Sequence, residues 1–65
     1  MKVNSSTISE INHDGSTLTV TFVNGRMYTY ESVPTKIYEE FTKAESKGQY
    51  FHENINGRYN YSRIR

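Results

Sequence analysis

The sequence predicts an α+β fold: a small antiparallel sheet with two helices packed on one face, in the order β-β-β-α-α-β. Three observations carry this. Thr17–Phe22 alternates strictly, with Leu18, Val20 and Phe22 on one face, the period-two signature of a half-buried strand. Asn24-Gly25 then marks a turn and Met27-Tyr28-Thr29-Tyr30 begins the return, so the two runs read as a hairpin. After Pro34 the period becomes helical, with Ile37, Phe41 and Ala44 at i, i+4 and i+7.

The other elements follow in chain order. Ser6–Asn12 carries Ile8 and Ile11, whose opposite parity predicts a strand with a bulge or a bend, ending at the turn His13-Asp14-Gly15. Pro34 suits the first turn of a helix, where its missing N–H costs nothing. Tyr38 flanks the apolar stripe, while Glu39 and Lys43 lie four apart on the outer face, a spacing worth roughly 0.3 kcal/mol. Ser46-Lys47-Gly48 interrupts. A second short helix over Gln49–Asn54 offers Tyr50, Phe51 and the following Ile55 to the core, and Asn56-Gly57 closes it. Arg58–Ile64 alternates again and reads as the last strand.

Sixty-five residues make a single domain, 1–65, near the lower size for one core. A chain this short buries only about 60% of the surface its unfolded form exposes. It has no cysteine, hence no disulfide and no Cys-based zinc site, and a reducing cytoplasmic setting is the expectation. The segment MKVNSSTISE lacks an apolar run, so neither a signal peptide nor a membrane helix is expected. Six Tyr and three Phe suggest that rings supply much of the core. The net charge of +1 is by itself no argument for a nucleic-acid partner, but charge is unevenly spread. Residues 1–42 hold three basic and five acidic side chains, whereas 43–65 hold five basic and two acidic. The end of the chain is therefore positive.

The faces of Tyr28 and Tyr30 depend on the turn. A two-residue loop at Asn24-Gly25 sets Tyr28 against Thr21 and Tyr30 against Thr19, away from Leu18, Val20 and Phe22. A three-residue loop with Gly25 in a bulge slips the register by one: Phe22 opposes Arg26, Val20 opposes Tyr28, and Leu18 opposes Tyr30. The dipeptide favours the first register, the pattern the second. In the first, Glu31 shares the apolar face, and desolvating an unpaired carboxylate costs several kcal/mol (order of magnitude), more than the preference between turn types. The bulged register is the better reading, and it makes Tyr28 and Tyr30 core residues. The expected core is then Leu18, Val20, Phe22, Tyr28 and Tyr30 from the hairpin, with Ile37, Phe41 and Phe51 from the helices.

Leu18-x-Val20-x-Phe22-x-x-Gly25-x-x-Tyr28-x-Tyr30, Val33-Pro34, Ala44-x-Ser46-x-Gly48-x-Tyr50-Phe51, then Ile55, Tyr59 and Tyr61 resemble the KTSC domain family. The resemblance runs from about Ser5 to Ile64. That family takes its name from a C-terminal domain of some lysyl-tRNA synthetases and also occurs as free-standing small bacterial and phage proteins. The resemblance implies a non-enzymatic module, with RNA binding suggested by its place on a tRNA synthetase. It brings no set of site residues.

Nucleic-acid binding needs cations for phosphates and aromatic planes for unpaired bases. The tail Arg58-Tyr59-Asn60-Tyr61-Ser62-Arg63-Ile64-Arg65 interleaves both. Tyr59 and Tyr61 either present rings beside a guanidinium or fill the core next to Tyr28 and Tyr30. The candidate binding residues are Arg58, Tyr61, Arg63 and Arg65, with Lys43, Lys47 and, at the hairpin tip, Arg26. The alternative is a protein-interaction domain: a small phage or bacterial modulator of a host protein, or a domain that dimerises or adds its edge strand to a partner, with the Thr19/Thr21/Met27/Thr29 face open to such a contact.

Catalytic and metal chemistry have little support. His13-Asp14 and His52-Glu53 lack the spacing of a zinc-binding helix, and no cofactor is indicated. Ser6, His13 and Asp14 come with neither a nucleophile elbow nor an oxyanion turn. Ser46-x-Gly48 reads first as punctuation between helices, and second as an anion site at a helix start.

Overall fold

The computed structural model describes all 65 residues. Strands β1 (Ile8–Asp14), β2 (Thr17–Phe22), β3 (Met27–Tyr30) and β4 (Tyr61–Arg63) form one antiparallel sheet in that spatial order. Helices α1 (Thr35–Lys43) and α2 (Lys47–Asn54) lie between β3 and β4 in the chain. The class and element order are those the sequence predicts.

The parity conflict of Ile8 and Ile11 is resolved by a bulge. Ile8 pairs with Phe22 but Glu10 with Thr21, so one extra residue in β1 returns both isoleucines to the face of Val20. The strand begins at Ile8 rather than Ser6, because the Ser5 hydroxyl accepts the N–H groups of Thr7 and Ile8 and holds that segment in a local turn. It also runs on through His13 and Asp14, and the turn falls at residues 15–16.

The β2–β3 hairpin takes the bulged register. The Gly25 N–H donates to the Phe22 carbonyl at 2.9 Å and the Phe22 N–H to the Arg26 carbonyl at 2.8 Å, with Gly25 at φ +92°. Val20 then faces Tyr28 and Leu18 faces Tyr30, leaving Glu31 in water.

Several boundaries differ from the sequence expectation. Pro34 is the N-cap of α1 rather than its first helical residue, and its carbonyl accepts the N–H groups of Ile37 and Tyr38. Ala44 stands just past the helix in extended backbone, ending the apolar stripe at Phe41. Glu39 and Lys43 remain exposed and form no ion pair. Helix α2 starts at Lys47, two residues early, because the Ser46 hydroxyl caps it by accepting the Gln49 N–H at 3.2 Å. Strand β4 shortens to three residues, since Arg58 is still held in a turn by the Ile55 carbonyl.

Eight residues form the buried core: Ile8, Ile11, Leu18, Val20, Val33, Phe41 and Ile55 are fully enclosed, and Tyr30 is nearly so. Of the expected core, Phe22, Tyr28, Ile37 and Phe51 are only partly buried and pack around this centre. Aliphatic side chains fill the middle and most rings pave its margin, which corrects the expectation of an aromatic core. Ile8 and Ile11 were masked by their parity, and Val33 by its loop position.

Gly25 and Gly48 separate backbone strain from space. A Cβ at Gly25 meets nothing within 4 Å but requires positive φ, whereas one at Gly48 sits 3.4 Å from the Thr7 hydroxyl in helical backbone. Gly25→Ala is expected to cost about 1–2 kcal/mol. Gly48→Ala stays within about 0.5 kcal/mol, helix propensity offsetting the contact. Urea midpoints of the two variants check this.

Candidate functional site

Residues directly opposite in an antiparallel sheet share a face. Two rows therefore cross the helix side of the sheet: Leu18–Tyr30–Tyr61 and Val20–Tyr28–Arg63. Helix α2 reaches over them as far as Phe51, whose ring meets Phe22 at 5.4 Å and Tyr30 at 5.6 Å, both edge-on. Beyond Phe51 the rows emerge. Tyr30 is 3% exposed, Tyr28 is half-buried and Tyr61 is 61% exposed.

The emerging rings form a cluster. Tyr61 lies 5.8 Å from Tyr28 and 5.9 Å from Tyr30, centroid to centroid. Phe22, Tyr28, Tyr30, Phe51, Asn56 and Tyr61 enclose a cleft of about 240 Å³. The alternation of the tail ties Tyr59 to Tyr61, but the structure separates them. Tyr59 packs against the core from the loop, and the strand begins only at Tyr61, so strand parity does not link the two.

Cations gather at one end of this cluster. Arg63 is paired with Tyr28, and the Arg65 backbone bonds to that of Met27, next to Arg26 at the hairpin tip. The Arg63 Nε donates to the Arg65 carbonyl at 2.9 Å. No Lys or Arg in the chain forms an ion pair; the one close pair joins the Met1 ammonium to Glu10. None of these guanidinium groups pairs with an Asp or Glu side chain.

The seven predicted binding residues fall into three places. Arg26, Tyr61, Arg63 and Arg65 come together at the β3–β4 end. Arg58 lies in the α2–β4 loop, its Nε donating to the Glu53 carbonyl at 3.1 Å, beside a recess lined by Glu31, Ser32, Tyr59 and Asn60. Lys43 and Lys47 belong to the helix junction, where the Lys47 ammonium donates to the Ala44 carbonyl. A polar recess there is walled by Asn4–Thr7 and Glu45–Gln49. Asn56 is the cleft residue that sequence reasoning missed: Asn-Gly reads as a helix stop and hides any role of the side chain.

Other polar groups serve the fold. The His13 Nε2 lies 2.8 Å from the Val33 carbonyl, and its ring stacks on Tyr38 at 5.0 Å. Burial pushes the Tyr30 phenol up to about 12, with the neighbouring Tyr28 and Tyr61 phenols adding to it. The Tyr50 phenol also rises to about 12, through burial and through the hydrogen bond it donates to the Glu40 carboxylate at 2.9 Å. No helix is long and apolar enough to cross a membrane.

Comparison with known proteins bears on residues 4–59, which match the family model of the KTSC domain. The chain is 39% identical over 66 residues to the lysine–tRNA ligase of Trichormus variabilis, covering 98% of this chain and 12% of that one. It is 46% identical over 48 residues to the lysine–tRNA ligase of a Nostoc species, covering 74% and 9%. The chain thus spans about a tenth of the length of the curated relatives it matches. A crystal structure of a KTSC domain protein from Yersinia pestis superposes with a TM-score of 0.92 at 32% identity, covering all of this chain and 94% of that one. Strand β4, with Tyr61 and Arg63, lies beyond the segment matched by the family model.

The raised phenols set an alkaline limit. The folded chain keeps protons on Tyr30 and Tyr50 that the unfolded chain releases near pH 10. The unfolded state thus binds fewer protons above that point, and stability falls with rising pH. Urea stability should hold below pH 10 and decline between pH 10 and 12. Tyr50→Phe should flatten part of that decline.

Proposed function

The chain belongs to the KTSC domain family, and on that footing we propose that it is a non-catalytic RNA-binding module acting through the β3–β4 end of its sheet. The observation that carries this is Tyr61, an exposed ring on the same face as Arg63, with Arg26 and Arg65 at the same end of the sheet and no guanidinium paired with an Asp or Glu side chain. An exposed ring binds an unpaired base by stacking, and unneutralised cations bind the phosphates on either side of it. Two relatives carry the matching segment within enzymes named for a tRNA substrate, which favours RNA over other polyanions. On this reading the matching segment serves as an RNA-holding part in those enzymes, whose chemistry belongs to the rest of their length.

A protein contact is the second reading. It is favoured by the open outer edge of β4 together with Val23 and Ile64, which are exposed apolar residues at 57% and 55%. Isolation as a nuclease-resistant species of twice 7.6 kDa supports that reading over the first.

RNA affinity is expected to fall with salt. With three phosphate contacts, log K against log salt has a slope of about −2 for a single strand. Arg63→Ala and Arg65→Ala should each reduce the slope by about 0.7. Tyr61→Ala should lower affinity without changing the slope. A salt-independent affinity overturns the proposal.

A further inference from the structure

Asn56 adds something that phosphate binding does not use. It stands on the rim of the aromatic cleft, exposed, with its backbone N–H tied to the Phe51 carbonyl at 2.9 Å. Its side-chain amide makes no hydrogen bond within the protein. Every other side chain around the cleft is a ring: Phe22, Tyr28, Tyr30, Phe51 and Tyr61. No charged group lines it. Five rings, three of them carrying phenol hydroxyls, with one free side-chain amide suit a flat heteroaromatic group that has a hydrogen-bonding edge. They suit an aliphatic chain or an ion poorly.

We propose that the mouth of this cleft takes one unpaired base of a bound RNA strand, stacked on the open face of Tyr61 and read along its Hoogsteen edge by Asn56, with adenine preferred. The inference rests on the RNA-binding reading above and gives it a ligand. Ring spacing fixes how the base lies. A base sandwiched between two rings needs about 7 Å, twice the ~3.4 Å axial spacing of stacked nucleotides along one strand. Tyr61 is only 5.8 Å from Tyr28 and 5.9 Å from Tyr30, so no slot exists between them. The base covers the solvent side of Tyr61 and turns its edge toward the amide. The preference for adenine follows if the amide reads the Hoogsteen edge, where adenine alone sets an N6 donor beside an N7 acceptor. On the Watson–Crick edge cytosine fits an amide equally well, and the octamers tell the two edges apart. A purine also covers more of the ring. A duplex offers neither a free base face nor an accessible edge in its narrow major groove, so the strand must be single or looped. Arg63, opposite Tyr28 on the same face, stands beside this base where its flanking phosphates run.

Fluorescence anisotropy with labelled octamers rA8, rC8 and rU8 and a short RNA duplex, at one fixed salt concentration, tests this. The wild type should bind rA8 about 10-fold tighter than rC8 or rU8. The duplex should bind more weakly than rA8. Asn56→Ala should abolish the preference among octamers, and Tyr61→Ala should weaken all three by about 10-fold. Both positions are exposed, and unchanged melting temperatures establish that the variants are folded. Equal binding of the octamers, a preference that survives Asn56→Ala, indifference to Tyr61→Ala, or duplex binding as tight as rA8 each overturns the base site. If Arg63→Ala with Arg65→Ala still weakens binding in those cases, RNA binding itself stands. No binding of any oligonucleotide by the wild type overturns both.

Discussion

The closure of the hairpin at Gly25 fixes the side of the sheet on which every later strand residue falls. With Gly25 at positive φ and the loop one residue longer than a tight turn, Leu18 faces Tyr30 and Val20 faces Tyr28. Strand β4 pairs with β3 and inherits that assignment, so Tyr61 and Arg63 continue the same two rows. A slip of one residue would send Tyr28 and Tyr30 to the threonine face and bring Thr29 and Glu31 toward the core. The desolvation of Glu31, several kcal/mol as an order of magnitude, opposes that slip. The aromatic surface and the hydrophobic core thus depend on a single turn.

The second constraint is how far the helices reach. The enclosed centre lies over β1 and β2 and takes in only Tyr30 from β3, with Val33, Phe41 and Ile55 closing it from above. Phe51 is the last helical ring to touch the sheet rows. Past it, apolar faces that a larger domain would cover stand open, and Tyr61 has neighbours on one side only. Residues 1–65 place no further element there. The exposed aromatic surface results from incomplete coverage, and Arg26, Arg63 and Arg65 at its end pair with no Asp or Glu side chain.

Two of the local departures from the sequence reading share a cause. The Ser5 hydroxyl delays β1 and the Ser46 hydroxyl advances α2. Each is a side chain satisfying backbone groups at an element end, where periodicity carries no information. The bulge in β1 is different. The parity of Ile8 and Ile11 demanded an irregularity, and its position between Ile8 and Glu10 puts both side chains inside.

Of the candidate site, the sequence marked Arg26, Tyr61, Arg63 and Arg65, which the fold assembles, but also Arg58, Lys43 and Lys47, which it places elsewhere. The linear run of tail cations suggested one surface, yet the chain is still turning at Arg58, and the lysines sit at the helix junction. The sequence alone determined the strands, the two helices and the hairpin register, because alternation, turn chemistry and the cost of burying a carboxylate are all local. Only the tertiary structure decided that Tyr59 packs inward while Tyr61 stays open, and that Asn56 joins the rings around the cleft. Periodicity assigns a residue to a face, but exposure on that face is set by whichever distant segment lies over it.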